Sequence, residues 1–314
     1  MTKLVVMGAI NWDVNFFVDE FPKIGEEVPV LEITRVPGGK GANASVAAAR
    51  ILGPNEVALI GGLGKDEIGK RQLSILTEEG LVISGMKLCE KVESGQAYIV
   101  IDKRGRNVIH TYFGANLELR PEDFEDEIRK RIVEDSQIIV IIEPPFEAID
   151  TITARAEELG KIVIWDTGVR SKIGFKALER ILQRIDYLLL NEVEYENLFG
   201  TVFSWDAAWT LPIPSERLKV VVKLGERGAA LVSRKRKNRV EGIKLEELGL
   251  KVVNTVGCGD AFLGALASYK SLGYSDEESL RMANFAGAFK ATRAETRGSP
   301  TKKELEELAR KVEG

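Results

Sequence analysis

Short, almost entirely apolar runs alternate with longer helix-forming segments over most of the chain. The runs at residues 4–9, 138–142 and 187–190 contain almost no polar residue, which is typical of parallel strands buried on both faces of a sheet. Segments with helical periodicity follow two of these runs, at residues 146–159 and 192–199. Because strands that alternate with helices form parallel sheets covered by helices, the pattern predicts a doubly wound α/β fold.

The same pattern of apolar runs and helical periodicity predicts the other strands and helices of the chain. It predicts further strands at residues 56–61, 161–165, 218–224 and 229–233. It predicts further helices at residues 41–52, 66–79, 121–133, 175–185, 261–272 and 276–292, with a tail helix from Pro300. Neither an internal repeat nor a low-complexity linker interrupts the pattern, so we expect one α/β domain over residues 1–314.

Two segments, at about 15–36 and 95–113, have a different pattern from the rest of the chain. The first contains prolines and a β-like alternation of apolar and polar residues, which argues against a core helix. The second contains two alternating runs around a polar turn at 103–106, which is typical of a hairpin. The two segments therefore predict a small sheet that is inserted in the domain but lies outside the main sheet.

A glycine-rich turn, Gly257-Cys258-Gly259-Asp260, precedes the predicted helix at 261–272. Free amides at a helix start, together with the helix dipole, form a site for an anion. A carboxylate there repels an anion, but it is useful if it accepts a proton from a hydroxyl while the amides hold an arriving phosphoryl group. The turn thus predicts phosphoryl transfer to an alcohol, and a tight turn with an Asp N-cap remains the alternative for this motif alone.

Other candidate ligand groups lie at a second glycine-rich stretch and at the ends of predicted strands. Residues 37–43 read Pro-Gly-Gly-Lys-Gly-Ala-Asn and open a predicted helix. Asn11 and Asp13 follow the first strand. Later strands are followed by Glu143, Asp166 and Asn191. Because α/β proteins bind ligands at the carboxyl ends of their strands, these side chains are expected to line one crevice.

The two glycine-rich stretches, in this order and separation, resemble the two signatures of the ribokinase (PfkB) family of carbohydrate kinases. The resemblance covers nearly the whole chain and implies a ribokinase-like fold, in which the small sheet is a lid over the sugar and often a dimer surface. It implies transfer of a nucleotide's terminal phosphoryl group, from ATP by default or from ADP, to a primary hydroxyl of a ribose-type acceptor. Ribose, a nucleoside, and a ribose or fructose phosphate all remain open as acceptors.

The resemblance also implies roles for individual residues. Asp260 would be the base, and the amides of Gly257, Cys258 and Gly259 would hold the moving phosphate. The acceptor would contact Asn11, Asp13, Gly39, Lys40, Asn43, Glu143 and Asp260. The nucleotide would contact Asn191, Lys223, Gly225, Gly228 and Asn284.

The residues Asn191 and Glu194 match the family's Asn-x-x-Glu motif, which holds magnesium through its water shell. Mg²⁺ keeps several waters and is usually bound by one or two carboxylates together with phosphates. The alternative is a purely structural pair, in which Asn191 caps a helix and Glu194 completes a capping box. Both roles are compatible with each other.

Three departures from the family pattern affect the expected cofactors. The second signature normally begins Asp-Thr, and the Asp helps to bind a monovalent cation, whereas this chain has Asn254. Asn keeps an oxygen but loses the charge, and the segment 293–300, which closes that site in relatives, is also altered. Potassium activation is therefore in doubt. Lys223 stands where the family usually has Thr near the donor phosphates, which leaves ATP and ADP both open.

Composition and charge narrow the remaining function classes. The chain has 314 residues, and 44 Lys and Arg against 48 Asp and Glu give a net charge of −4, which argues against a nucleic-acid partner. No apolar run approaches the length of a membrane span. Cys89 and Cys258 lack metal-ligand spacing and no signal-peptide pattern is visible, so a cytoplasmic location is expected.

Two other function classes are alternatives to a kinase. An NAD-binding dehydrogenase would require a Gly-x-Gly-x-x-Gly after the first strand, which is lacking. A catalytically silent sugar- or nucleotide-binding relative is the other alternative, and the presence of Asp260 and Glu194 argues against it. We therefore expect a kinase with small-molecule substrates that forms a homodimer through its lid.

Overall fold

The computed structural model describes residues 2–313, and strands and helices alternate through most of them. The strands are β1 (Leu4–Gly8), β2 (Asn11–Val18), β3 (Glu32–Gly38), β4 (Val57–Ile60), β5 (Gly62–Gly64), β6 (Lys87–Cys89), β7 (Gly95–Asp102), β8 (Asn107–Tyr112), β9 (Ile138–Ile142), β10 (Ile162–Asp166), β11 (Tyr187–Asn191), β12 (Lys219–Lys223), β13 (Ala229–Val232) and β14 (Lys237–Val240). The α-helices are α1 (Lys40–Leu52), α2 (Glu67–Glu78), α3 (Glu127–Asp135), α4 (Phe146–Glu158), α5 (Phe175–Leu182), α6 (Glu192–Phe199), α7 (Cys258–Ser271), α8 (Asp276–Ala291) and α9 (Lys302–Glu313). Among these residues no helix has the length and apolar character needed to cross a membrane.

The main sheet has eight strands in the order β14-β13-β12-β11-β10-β9-β1-β4. Its strands are parallel except β13, which runs antiparallel to both of its neighbours. The parallel register brings the carboxyl ends of the central strands side by side, with the pairs Gly8↔Ile142, Ile142↔Asp166 and Asn191↔Lys223. The predicted doubly wound, mostly parallel sheet is therefore confirmed, and its carboxyl edge is continuous across five strands.

The side chains of each central strand alternate between two apolar layers. In β1, Leu4 and Val6 pack into the layer that contains residues of α1, α2, α7, α8 and α9. Val5 and Met7 pack into the opposite layer, which contains residues of α3, α4, α5 and α6. Burying each such side chain contributes roughly 1.5–3 kcal/mol. Helices thus cover both faces of the sheet, as the continuous apolar runs predicted.

A smaller sheet in the order β3-β2-β7-β8 is separate from the main sheet. It lies where the sequence predicted a small sheet, but β2 already begins at Asn11. Asn11 and Asp13, which follow the first strand as predicted, therefore belong to this small sheet, because the chain leaves the main sheet within two residues of Gly8. The division into one domain with an inserted lid stays a prediction, and the outermost residues of its 1–314 span, Met1 and Gly314, lie outside the described residues.

The predicted helix at 121–133 is wrong in its bounds. A 3₁₀ turn occupies Pro121–Glu125, and α3 starts only at Glu127. The side chain of Asp126 accepts hydrogen bonds from the amides of Ile128 and Arg129, and therefore caps a new helix in the middle of the predicted one. A capping residue inside a periodic segment can thus override the hydrophobic pattern.

Close packing of α1 against α7 fixes the distance between the two glycine-rich stretches. A Cβ atom on Gly264 of α7 would lie 2.6 Å from both the carbonyl oxygen of Ala44 and the Cβ of Ala47 on α1. The helices can approach this closely only because small residues face each other. This contact holds Asn43 of α1 opposite Asp260 of α7.

We predict that Gly264→Ala lowers the free energy of unfolding by ~1–3 kcal/mol, the usual cost of overpacking. Chemical denaturation would measure the change. Gly287→Ala on α8 is the matched control, because its new Cβ meets nothing nearer than 3.3 Å. The control should destabilise less than Gly264→Ala, because its nearest contact, the Cys258 carbonyl oxygen at 3.3 Å, is tight without being a clash, and alanine favours helix over glycine by roughly 0.5–1 kcal/mol. Equal destabilisation by both substitutions would contradict the close-packing argument.

Candidate active site

The polar residues that the sequence placed at strand ends line one crevice at the carboxyl edge of the main sheet. Glu143 follows β9, Asp166 ends β10, Asn191 ends β11 and Lys223 ends β12. The turn at 257–260 and the start of α1 approach the same edge from above, because α1 and α7 both begin there. The structure therefore brings together the strand-end residues and both glycine-rich stretches.

The turn before α7 requires glycine at its first position. Gly257 has φ +86°, and a Cβ on it would lie 2.3 Å from the carbonyl oxygen of Thr296. Cys258 then begins α7, and its amide donates to the carbonyl oxygen of Thr255 at 3.2 Å. Of the three amides predicted to hold a phosphate, that of Cys258 is thus engaged within the turn. Burial raises the pKa of the Cys258 thiol.

The carboxylate of Asp260 is buried in the first turn of α7 and is held by one specific partner. Asn43 donates its amide Nδ2 to Asp260 Oδ2 at 2.8 Å. Burial raises the pKa of Asp260 to about 6, although the Asn43 hydrogen bond and the ammonium groups of Lys40 and Lys223 work in the opposite direction. A carboxylate with a pKa just below neutrality suits a general base, because it is ionised at pH 7 yet accepts a proton readily.

Arg297 fixes the orientation of Asn43, and sequence reasoning did not identify it. Its Nε donates to Asn43 Oδ1 at 3.0 Å, and its Nη2 donates to the carbonyl oxygen of Gly38 at 2.8 Å. A guanidinium can only donate, so the oxygen of Asn43 must face Arg297 and the NH₂ group must face Asp260. The only sequence signal was that Arg297 lies in the altered segment 293–300.

A second buried carboxylate, Asp13, belongs to β2 of the small sheet. It packs against Gly38, whose Cβ would lie 2.2 Å from Asp13 Oδ2. Burial raises the pKa of Asp13 to about 6, Arg297 lowers it, and Asp260 raises it further. The coupling to Arg297 and Asp260 places Asp13 in the same electrostatic environment as the candidate base.

Asn11 is held in place by two residues that sequence reasoning also missed. Asn116 donates to Asn11 Oδ1 at 2.8 Å, and Gln72 donates to the Asn11 carbonyl oxygen at 2.5 Å. Asn116 also accepts from the amide of Ile10 at 2.8 Å. These bonds join β2 to distant parts of the chain, so the direction of the Asn11 side chain is set before a ligand arrives.

Two lysine–carboxylate pairs flank Asp260. Lys40 Nζ lies 2.6 Å from Glu143 Oε1, and Lys223 Nζ lies 2.5 Å from Asp166 Oδ2. Burial opposes both positive charges, but the neighbouring carboxylates raise the pKa of each lysine above its ordinary value. Both lysines therefore stay charged and favour the ionised form of Asp260.

Lys223 lies beside the glycine-rich turn. A Cβ on Gly259 would lie 3.6 Å from Lys223 Nζ. Its partner Asp166 was recognised from the sequence as a strand-end residue but received no role there. The pair places an ammonium group next to the amides at the start of α7, where an arriving phosphoryl group would be stabilised.

The residues predicted to bind the nucleotide continue from the end of β12. Gly225 and Gly228 bound the 3₁₀ turn that follows Lys223, and a Cβ on Gly228 would lie 2.0 Å from the carbonyl oxygen of Val240. Asn284 of α8 donates to the neighbouring carbonyl oxygen of Glu241 at 2.9 Å. The three residues therefore lie near the same end of β14.

The predicted magnesium residues form a reciprocal capping box. Asn191 Oδ1 accepts from the Glu194 amide, and Glu194 Oε2 accepts from the Asn191 amide, both at 2.8 Å. Burial and the nearby Asp166 raise the pKa of Glu194. Within residues 2–313 no group of three or more His, Cys, Asp or Glu could hold a metal by itself. A single carboxylate at the crevice fits a Mg²⁺ ion held mainly by water and phosphates, and this role stays a prediction.

Comparison with known proteins gives a consistent picture. The model of the pfkB family of carbohydrate kinases matches residues 1–303. A ribokinase of Lactococcus lactis is 31% identical over 283 residues, which cover 90% of this chain and 88% of that protein. The crystal structure of a ribokinase from Thermotoga maritima is similar, with a TM-score of 0.84 and 30% identity over 99% of this chain and all of the other. The structure of Arabidopsis thaliana ribokinase complexed with ribose and ATP has a TM-score of 0.86 and 27% identity, with 98% and 99% covered.

We predict that kcat/KM falls as the pH is lowered through about 6, because Asp260 must be ionised to accept a proton. Lys223→Met removes a positive charge that lowers the pKa of Asp260, so the acid limb of the pH profile should move to higher pH. Lys219→Met is the control, because Lys219 begins the same strand and pairs with Asp276 at its far end. An unshifted limb in Lys223→Met, or an equal shift in the control, would contradict this electrostatic account.

Proposed function

Because this chain belongs to the pfkB family of carbohydrate kinases, we propose that it transfers the terminal phosphoryl group of a nucleotide to the primary hydroxyl of a ribose-type sugar. The chain is a phosphotransferase with an alcohol group as acceptor, as its ribokinase relatives are. Beyond this reaction class, we propose a ribose-type acceptor, phosphorylation of its primary hydroxyl, and ATP as the default donor.

The observation that carries the proposal is the position of Asp260. Its buried carboxylate is held by Asn43 at the start of α7, with a pKa of about 6. Lys40 and Lys223 stand on either side of it as paired, charged groups. A base that meets an acceptor hydroxyl, next to helix-start amides and an ammonium group, is the arrangement that phosphoryl transfer to an alcohol requires.

The acceptor side supports a small polyol. Asn11, Asp13, Asn43 and Glu143 are all buried, and each is fixed by a hydrogen bond, an ion pair or close packing. Carboxylate and amide groups can bind several neighbouring hydroxyls at once with defined geometry. The Arabidopsis relative was solved with ribose and ATP, which supports the same pair of substrates here.

For the donor, we propose that Lys223, Gly225, Gly228, Asn191 and Asn284 contact the nucleotide. Glu194 and Asn191 would hold Mg²⁺ through its water shell, and the ion would offset the charge of the phosphates. ADP is the alternative donor, since Lys223 puts a cation where a neutral hydroxyl is usual in the family. An assay of the same acceptors with ATP and with ADP decides between the two donors. Activity with ADP alone would contradict the proposal that ATP is the donor.

The lid and the cellular location remain predictions. Large apolar side chains on the small sheet are exposed, namely Ile33, Tyr98, Val108, Ile109 and Tyr112. They support the predicted homodimer through the lid, and a monomeric mass in solution would contradict it. The cytoplasmic location is tested by cell fractionation, where recovery outside the cytoplasmic fraction would contradict it.

We predict that Asp260→Asn lowers turnover by at least ~10²-fold, the scale of a lost general base, while the fold is retained. Steady-state kinetics on the best acceptor would measure the change, and circular dichroism would confirm folding. Asp150→Asn is a matched control, because Asp150 is an ion-paired carboxylate of α4 on the opposite face of the sheet. Near wild-type turnover in Asp260→Asn would show that Asp260 is not the general base.

Lys40 distinguishes the proposed acceptor from a phosphorylated one. Its charge is already balanced by Glu143 at 2.6 Å, which favours an uncharged acceptor. We therefore expect Lys40→Met to lower turnover on every acceptor with little change in KM, because the lysine supports Asp260 and the transferring phosphate.

The assay compares Lys40→Met on ribose, a nucleoside and a ribose phosphate. If KM rises selectively for the phosphorylated acceptor, by roughly 10- to 100-fold, Lys40 binds the acceptor's phosphate and the phosphosugar alternative replaces our proposal. Lys65→Met is the control, since Lys65 forms a 2.7 Å ion pair with Glu90 on the surface. Unchanged kinetics in Lys40→Met would contradict both assignments.

A further inference from the structure

A fully buried lysine lies directly behind the glycine-rich turn. Lys290, in the last turn of α8, has 0% of its surface exposed. Its ammonium donates to the carbonyl oxygen of Asn254 at 2.9 Å and to that of Arg293 at 3.3 Å. Among the carboxylates whose side chains the structure describes, none forms an ion pair with Lys290. Because a buried charge without an ion pair is costly, a lysine at this position needs a reason.

The ammonium joins the two chain segments that shape the turn. Asn254 begins the segment that leads into Gly257, and its side chain donates to the carbonyl oxygen of Ala294 at 2.7 Å. A Cβ on Gly257 would lie 2.3 Å from the carbonyl oxygen of Thr296 and 3.4 Å from Lys290 Cε. The turn therefore rests on the segment after α8, and Lys290 is the group between them.

The same segment also reaches the candidate base. It carries Arg297, whose Nε orients Asn43 at 3.0 Å, and Asn43 in turn binds Asp260 at 2.8 Å. A shift of this segment would thus disturb both the turn that holds the phosphate and the partner of the base. Lys290 is placed to control the two together, although it lies behind the turn instead of in the crevice.

The residues here do not fit the monovalent cation that the family resemblance implied between these two segments. Such an ion is bound by carbonyl oxygens that replace its hydration shell. The carbonyl oxygens of Asn254 and Arg293 are taken by Lys290, and the side-chain oxygen of Asn254 accepts from the Val256 amide at 3.0 Å. The expected ligands are therefore engaged with the protein itself.

We propose that the ammonium group of Lys290 serves as a built-in cation for the glycine-rich turn and makes the enzyme independent of potassium. A lysine ammonium has three donors and no acceptor, so it binds carbonyl oxygens as a monovalent cation does. Because the ammonium group is covalently part of the protein, it is present in every catalytic cycle, whatever the ions in solution. It holds the turn in the shape that receives the phosphoryl group and places a positive charge behind it. Lys290 is thus a positioning residue.

The competing explanation is that Lys290 merely ties down the end of α8. The two roles differ in what a lost ammonium does in the presence of added cations. If Lys290 only holds the end of α8 in place, an ion in solution cannot replace the lost side chain. A lost cation can be replaced, provided that the substitution leaves room for the ion between the same carbonyl oxygens.

The experiment compares the wild type with Lys290→Ala, which leaves space for an ion, and Lys290→Met, which fills that space with an uncharged chain. Each is measured with tetramethylammonium, potassium, ammonium or methylammonium as the only added cation. The readouts are thermal midpoint, nucleotide affinity and turnover. Lys270→Ala is the control, because Lys270 is a second largely buried lysine, on α7, that pairs with Asp276 at 3.0 Å.

We expect wild-type turnover to change less than about twofold between cations. Lys290→Ala should lose about 10²-fold in turnover without a small cation, the scale of lost anion stabilisation, and regain at least about tenfold with ammonium or potassium. Its thermal midpoint and nucleotide affinity should rise with the same ions. Lys290→Met should lose turnover without rescue, and Lys270→Ala should show no dependence on the cation.

Three results would overturn the inference. The first is activation of the wild type by potassium of more than about fivefold, which decides the question even if both Lys290 variants fail to fold. The second is full activity of Lys290→Ala without a small cation, and the third is a folded, inactive Lys290→Ala that no cation rescues. The turnover measurement rests on the proposed function, whereas the thermal midpoint and nucleotide affinity do not. If no acceptor is phosphorylated, a cation response confined to Lys290→Ala still supports the inference.

Discussion

The central physical constraint is the burial of an ionised carboxylate at the start of a helix. Asp260 is withdrawn from water, which raises its pKa, and the opposing effects of the Asn43 hydrogen bond, Lys40 and Lys223 hold the pKa at about 6. The nearby ammonium groups favour its ionised form at neutral pH, and each of them is paired with a carboxylate of its own. Lys40 is balanced by Glu143 and Lys223 by Asp166. The crevice is therefore a set of mutually dependent charges, in which removal of one leaves another uncompensated.

The fold supplies these charges from distant parts of the sequence. Parallel strands in register end at one edge and deliver Glu143, Asp166 and Lys223 side by side. Close packing of α1 on α7 adds Asn43 opposite Asp260, and the segment after α8 adds Arg297. Because none of these partners is local in sequence, the site exists only when the whole domain is assembled. The same dependence explains why a residue behind the turn, such as Lys290, can control the chemistry in front of it.

Sequence reasoning predicted the fold class, because buried parallel strands leave continuous apolar runs and the helices between them keep a regular period. It placed the strand-end residues at one edge for the same reason. It failed for the bounds of α3, where Asp126 caps a helix inside a periodic segment, and for the start of the small sheet, which was predicted at about residue 15 although β2 begins at Asn11. In the first case a local hydrogen bond sets the boundary of the element, and in the second the direction in which the chain leaves β1 sets it. Neither feature changes the hydrophobic pattern of the sequence.

The residues that orient the site were harder to predict than the residues that form it. Arg297 bonds to Asn43 across 254 positions and Asn116 bonds to Asn11 across 105, so no motif spacing connects them. Lys290 lies in an ordinary helical sequence, and only its complete burial distinguishes it. Conversely, the capping box that the sequence offered as the alternative role of Asn191 and Glu194 is confirmed, since both partners lie within one helical turn, while their magnesium role stays a prediction.

The most direct test of the account is to identify the product formed from ribose and ATP by phosphorus NMR. The account predicts a phosphate monoester whose phosphorus couples to the two protons of the primary carbon, formed by the wild type and not by Asp260→Asn. The central claim is that Asp260 accepts the proton of a primary hydroxyl that attacks the phosphoryl group. Release of inorganic phosphate without a sugar ester would contradict it, and so would equal formation of the ester by Asp260→Asn.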